Sequence, residues 1–334
     1  MTPDSPAPSW RKIFETYRHP SHLRSSIELV ITAAPLFLLW GLAMWACAQG
    51  WWWAAALSLP AAAFLVRLFM IQHDCGHGSF FRWKGLNDWT GRIIGVLTLT
   101  PYDYWRRTHA MHHGTSGNLD RRGLGSVEML TVDEYHAKGW LGRAAYRFYR
   151  NPAVLFGIGP AYMFMLQHRL PIGLMRDVRS WLSVMATNAG VAAIVVTLIL
   201  FLGPGPFFAV VAPSLAVAAS IGVWLFYVQH QYEGVAWARD GEWRAHEAAL
   251  EGSSHYDLPP VLRWLTANIG VHHVHHVASR VPFYRLGQVL RAHPELTAMG
   301  RVTLWQSVKG VRLALWDEAS RRLVTFREAR RLGG

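Results

Sequence analysis

The chain has 334 residues, of which 51% are apolar and 16% charged, with 17 tryptophans and a net charge of +12. Soluble domains carry about 25% charged residues, disordered chains are poorer in apolar residues and richer in charge, and two cysteines cannot make a disulfide framework. What remains is a protein with an unusually apolar core or one that sits in a membrane, and the placement of charge along the chain separates the two.

Residues 1–26 are largely polar. From Ile27 to Ala48 the chain is almost wholly apolar, with Glu28 at the entrance; Gln49-Gly50 breaks the run, and Trp51-Trp52-Trp53 opens a second that ends near Ile71. About 20 residues at 1.5 Å each cross a bilayer core. The first run is too long, and starts too late, for a signal peptide. Ser183–Leu202 is a third uncharged run, Gly203-Pro204-Gly205-Pro206 a turn, and Phe207–Val228 a fourth run. The expectation is an all-α integral membrane protein with transmembrane helices at about 27–48, 52–71, 183–202 and 207–228, in two hairpins. Four buried core helices of a soluble protein would carry polar faces, which these runs lack.

Of the 33 Lys and Arg residues, 32 fall in 1–26, 72–182 and 229–334, and none lies in either hairpin turn. The positive-inside rule places that side, with both termini, in the cytoplasm, and the Trp triplet at the outer interface. Arg67 is the exception and reads as an anchor that snorkels to the cytoplasmic interface. Pro152–Leu166, between Arg150 and Arg169, is short for a span and reads as interfacial, since a crossing there would reverse the later topology. The expected organisation is a cytoplasmic segment 1–26, a membrane domain 27–300 and a basic cytoplasmic helix or tail 301–334. Basic residues spread over a membrane-proximal surface are accounted for by anionic lipid, so no nucleic-acid partner is expected.

Nine of the 17 histidines stand in three groups: His73 and His77 in HDCGH, His109, His112 and His113 in HAMHH, and His272, His273, His275 and His276 in HHVHH. On a helix, i, i+3 and i+4 share a face, so every one of these except His273 falls on a common stripe within its group. Eight imidazoles exceed the three or four ligands of one zinc. They point to two metals held in a cytoplasmic helical cap, of the kind imidazole suits: iron, copper, nickel or zinc. His230, at the end of the fourth run, is a ninth candidate. His19, His22, His136, His168, His246, His255 and His293 are scattered and read as structural.

HDCGH, HAMHH and HHVHH, in this order around two apolar hairpins, resemble the three histidine boxes of the membrane fatty acid desaturases, closest to the bacterial Δ12/ω-type acyl-lipid enzymes. Gly78-Ser79-Phe80-Phe81, Gly117-Asn118-Leu119-Asp120 and Arg280-Val281-Pro282-Phe283-Tyr284-Arg285-Leu286 after the boxes add to the resemblance, which spans roughly residues 25 to 300. It implies iron ligands at His73, His77, His109, His112, His113, His230, His272, His275 and His276. It also implies two Fe ions, O2 as co-substrate, and a cis double bond placed in the acyl chain of a membrane lipid. Acyl-CoA members place an Asn four residues before the ligand of the fourth span, where this chain has Phe226. Box three begins with His rather than Gln, and no His-Pro-Gly-Gly haem motif is present, so the front-end subgroup fits less well.

Saturated C–H bonds have no acidity for a side-chain base to use, so the cofactor carries the chemistry and the protein supplies position and dryness. Ligating imidazoles commonly donate their second nitrogen to an outer acceptor; Asp74, Asp120 and Asn268 are the candidates. Electrons are expected from an external ferredoxin- or cytochrome-type donor at the basic face of a bacterial inner-membrane protein. The same ligands would serve a di-iron hydroxylase or ketolase of a hydrophobic substrate, or a desaturase of a small non-lipid metabolite. A histidine-rich metal transporter would instead place its ligands near the bilayer midplane.

Overall fold

The computed structural model describes residues 10–332. Capping and turn chemistry set the four long helices. The Ser21 side chain accepts the backbone N–H of Arg24 at 3.3 Å and opens α1, His22–Ala48. A turn with Gly50 at φ +90° and a 3₁₀ segment, Trp52–Leu57, lead into α2, Ser58–His77. Two shorter helices follow, α3 at Lys84–Leu97 and α4 at Tyr102–Thr115. Asp177 caps α5, Val178–Leu202, by accepting the N–H of Ser180 at 2.7 Å. Gly203 at φ +81° and Pro204, whose missing N–H costs nothing at a helix start, open α6, Pro204–His230. The four long helical stretches have mean hydropathies of 2.0 to 2.2 and are long and apolar enough to cross a membrane.

These helices outrun the apolar runs at their charged ends. Helix α2 continues beyond Ile71 to His77, and α6 beyond Val228 to His230. Backbone hydrogen bonds carry a helix past the point where its side chains turn polar, so both helices end on histidine. Helices α1, α2 and α6 pack together. Trp40 Nε1 donates to Ser214 Oγ at 3.0 Å, and Ser214 Oγ reaches the Ser58 carbonyl at 3.2 Å, which ties the three helices at one level. Only 11% of the most apolar stretch of α5 is buried, so most of its sides are open.

Arg67 does not snorkel. It is 1% exposed and pairs with Glu28 of α1, itself 1% exposed. Its Nε donates to Thr32 Oγ1 at 3.1 Å, its Nη1 donates to the Trp264 carbonyl, and its guanidinium lies 4.1 Å from the Trp264 ring centroid. A carboxylate on the neighbouring helix, itself held at 2.6 Å by Arg24, makes the charge affordable where it stands.

The stretch read as interfacial forms a π-helical turn, Val154–Ile158, followed by a helix, Gly159–Met165. It packs through Phe156 on Trp224 and Tyr227 of α6, at 4.9 and 5.2 Å between ring centroids. The expectation of an all-α chain needs correction outside the long helices. Leu130–Thr131 pairs in parallel with Leu315–Trp316, Leu313–Asp317 pairs antiparallel with Arg322–Thr325, and His255–Asp257 pairs in parallel with Arg301–Thr303. Residues 301–332, expected as a basic helix or tail, therefore supply three strands and two short helices, Leu304–Gly310 and Phe326–Leu332. Leu315 and Val324 are fully buried there beside Tyr135 and Tyr146. Strands of two to five residues carry too short a pattern to be read from sequence, and the two longest, LALWD and RLVT, do not alternate apolar with polar.

Candidate metal centre

Each histidine of the three groups is delivered by a helix end or a short helix. His73 and His77 stand one turn apart on the last turns of α2, and His230 closes α6. His109, His112 and His113 share one face of α4. His272, His275 and His276 lie on a short helix, α7, at His272–Val277. Ala267 and Asn268, with φ of 52° and 55°, turn the chain just before α7. Gly270 passes so close to Tyr256 that a Cβ there would stand 2.4 Å from its carbonyl oxygen.

These nine imidazoles come together in two groups, and the groups do not follow the sequence boxes. His73, His77, His109, His113 and His275 form one; His112, His230, His272 and His276 form the other. Within each, the nitrogens offered all lie within 4.8 Å of one another. In the first, His109 Nε2 stands 3.0 Å from His77 Nε2 and 3.1 Å from His113 Nε2, and His275 Nε2 is 3.2 Å from His113 Nε2. In the second, His230 Nε2 stands 3.0 Å from both His112 Nε2 and His272 Nε2, and His276 Nε2 is 3.0 Å from His272 Nε2. His113 and His276 stack across the two groups, 4.1 Å apart.

The donor set fits metal. Nitrogens bound at about 2.1 Å to one cation, at right angles, stand about 3.0 Å apart. The hydrogen bonding points the same way. His230 Nδ1 lies 3.1 Å from the Gly252 carbonyl, which can only accept, so Nδ1 carries the proton and Nε2 presents a lone pair. Two further Nε2 atoms approach that lone pair. Burial, reinforced by neighbouring imidazoles, holds His109, His112, His113, His272, His275 and His276 well below the ordinary imidazole range, so their rings are neutral donors near pH 7.

The outer partners divide. Asp74 is buried; its Oδ1 lies 3.4 Å from His73 Nδ1 and its Oδ2 accepts the Phe283 N–H at 2.7 Å. It thus joins box one to the segment after box three. Asp120 instead accepts from Arg239 Nη1 at 2.7 Å and from the Asp240 N–H at 2.8 Å, and Asn268 donates to the Phe283 carbonyl at 3.3 Å. Neither meets an imidazole. Asp120 faces a surface ion cluster around Arg239, and Asn268, in its left-handed turn, bonds to the segment after box three. The partners that sequence did not reveal are the Gly252 carbonyl, Ser116 Oγ at 3.3 Å from His230 Nδ1, and Ser126 Oγ at 3.2 Å from His112 Nδ1. A carbonyl and two serines carry no motif, so nothing in the sequence marks them.

His273, off the stripe, and His255 serve as braces. His273 Nε2 lies 3.0 Å from the Leu296 carbonyl and His255 Nδ1 lies 2.7 Å from that of Thr297, so His273 holds α7, and His255 the strand His255–Asp257, to the turn at Pro294–Thr297. Aromatic rings wall the site. Trp105 stacks on His109 at 4.5 Å, and Phe226 lies 4.9 Å from His112 and 5.4 Å from His230.

Four apolar helices of membrane-crossing length and two histidine groups able to hold metal define the class of protein. Residues 50–308 match the family model described as fatty acid desaturase. A fatty acid desaturase of Bacillus subtilis (strain 168) is 42% identical over 312 residues, covering 93% of this chain and 88% of that one. An sn-1 acyl-lipid omega-3 desaturase (ferredoxin) of Synechocystis is 29% identical, over 67% of this chain and 63% of its own. An sn-1 oleoyl-lipid 12-desaturase of Anabaena variabilis is 26% identical, over 74% and 70%. The chain belongs to the fatty acid desaturase family and is an oxidoreductase of that family.

Proposed function

We propose that the protein is an O2-dependent di-iron desaturase that introduces a cis double bond into the acyl chain of a membrane lipid. The observation that carries this reading is the meeting of nine imidazoles in two groups at the polar ends of α2 and α6. His73, His77, His109, His113 and His275 would hold one iron, and His112, His230, His272 and His276 the other. Bound there, the ions would supply the O2-dependent oxidation that unactivated methylenes require. The relatives named for acyl-lipid substrates support the substrate class, and the one named for ferredoxin supports an external electron donor.

The chain's own residues do the positioning. Gly252 and Asp74 orient the rings of His230 and His73. Neutral imidazoles leave the site with more positive charge than carboxylates would. Trp105 stacks on His109, and Phe226 lies beside His112 and His230, so apolar ring faces pack against the ligands. An acyl chain would reach the site along the apolar sides of the long helices, two of which end at it.

For topology, α1 with α2 and α5 with α6 form two hairpins in a bacterial inner membrane, with both termini and the histidine cap on the cytoplasmic side. The distribution of Lys and Arg supports this. The domain division into 1–26, 27–300 and a C-terminal segment from 301 follows from the same reading.

The test is expression in a host with simple lipids, with double bonds mapped in the extracted acyl chains and His112→Ala as control. New double bonds in the wild type alone support the proposal. An unchanged profile from iron-loaded protein with an active donor system overturns it, and gain of oxygen in place of loss of hydrogen assigns a hydroxylase. Turnover with the donor should fall as salt rises, because a basic face attracts an acidic partner by screened charge.

A further inference from the structure

A small cavity of about 20 Å³ adjoins the second histidine group, lined by His112, His230, Ser116, Ser126, Gln231 and Trp237 among others. One water needs roughly 10–15 Å³ of such space and at least two polar partners. Two of the lining side chains carry polar atoms with no hydrogen-bond partner, Gln231 Oε1 and Trp237 Nε1. Both residues are deeply buried, at 2% and 7% exposure. An acceptor and a donor without partners on residues that line one cavity suit a bridging water, because buried polar groups are normally hydrogen-bonded.

Arg122 and Ser126 also line a second, larger cleft of about 790 Å³, whose wall includes Glu134 and the exposed residues Gly123, Glu128 and Lys138. Arg122 donates to Glu134 Oε2 at 2.9 Å and to the Met129 carbonyl at 2.5 Å, which fixes the wall that the two spaces share. Ser126 Oγ, on that wall, lies 3.2 Å from His112 Nδ1. Polar side chains thus line both faces of the wall between a charged, solvent-facing cleft and the imidazoles of the second group, and Phe226 lines the inner cavity.

We propose that a water-filled proton port crosses this wall, with its neck at Ser126 and Val127, to reach the second histidine group, separate from the apolar side by which an acyl chain arrives. The inference rests on the desaturase reading. In that reaction two C–H bonds break and a C=C π bond forms, while one O2 becomes two waters. The balance takes two electrons from the external donor and two protons from solvent. The two methylene hydrogens account for half of the hydrogen in the product water; the rest must enter across a site walled by aromatic rings. The inner cavity is too small for a headgroup or an acyl chain, and its open polar atoms suit water.

The test reads solvent access directly. In detergent-solubilised protein labelled at the tryptophan indole nitrogens, Trp237 is assigned by its loss in Trp237→Phe. Trp40 is the comparator, because it is equally buried at 7% but has its N–H bonded to Ser214 inside the helix bundle. In heavy water the Trp237 N–H should exchange at least about tenfold faster than that of Trp40, and Ser126→Leu or Val127→Phe, which fill the neck, should slow it toward the Trp40 rate. Turnover of a folded, iron-loaded plugged variant should fall about tenfold, with a larger solvent isotope effect. Equal exchange of Trp237 and Trp40 in the wild type, or undiminished turnover in both plugged variants, overturns the port. Iron content is measured on the same samples: its loss from the wild type would strike the metal reading, whereas the exchange comparison stands with or without iron.

Discussion

His112 and His230, 118 positions apart in the chain, stand Nε2 to Nε2 at 3.0 Å. One comes from the helix carrying the second histidine box, the other from the last turn of the fourth apolar helix. Their partner His272 comes from the third box, so a single cluster draws on three separate stretches of chain. Its neighbour His113, the next residue after His112, turns to the other cluster. The boxes are sequence units; the clusters are the units that could hold an ion.

That partition makes a prediction about adjacent residues. His275 and His276 belong to different groups. His275→Ala and His276→Ala should each lower bound iron by about half, since each spoils one ligand set and spares the other, and the double variant should bind almost none. Elemental analysis of purified protein reads this. Complete loss of iron from either single variant would mean that the two groups act as one site.

Asp74 joins His73 to the backbone N–H of Phe283. Asp74→Ala leaves that buried N–H unpaired, a cost of about 1–3 kcal/mol, and frees the His73 ring, which should weaken iron retention about 10- to 100-fold. Asp74→Asn keeps an acceptor oxygen and should lose less of both. Thermal unfolding and iron loss to a chelator measure the two effects separately. Equal behaviour of the Ala and Asn variants would remove the bridge from the account.

The buried pair Glu28–Arg67 should show strong coupling. Glu28→Leu alone leaves the Arg67 guanidinium without its counter-charge and should cost about 3–5 kcal/mol, whereas the double variant Glu28→Leu/Arg67→Met should recover most of that. The readout is the unfolding temperature in detergent. A double variant no more stable than Glu28→Leu alone would show that the pair does not act as a unit.

His168 lies outside the long helices, packed against Phe164 at 5.1 Å, and burial pushes its pKa from 6.5 down to about 4. Between these values the unfolded chain binds a proton that the folded chain does not. The stability His168 allows is therefore complete above pH 6.5 and is lost as pH falls toward 4. Wild type should lose unfolding temperature more steeply than His168→Leu between pH 7 and pH 5. Parallel slopes would place the sensitivity elsewhere.

Much of this was legible in the linear order of residues, for local physical reasons. A run of about 20 apolar residues spans a bilayer core whatever its neighbours do, so the four long helices were readable one by one. Imidazoles at i, i+3 and i+4 share a helix face by geometry alone, so the eight box histidines could be named in advance, whereas His230 is named by its place at the end of the fourth apolar run and by the resemblance. What only the tertiary structure decided depends on distant chain segments meeting. It split boxes two and three between the clusters and gave His230 the Gly252 carbonyl as partner. It turned Asp120 and Asn268 away from the imidazoles and buried Arg67 against Glu28. It also recruited residues 301–332 into strands. Periodicity records which face a residue lies on, and it holds no information about what that face will meet.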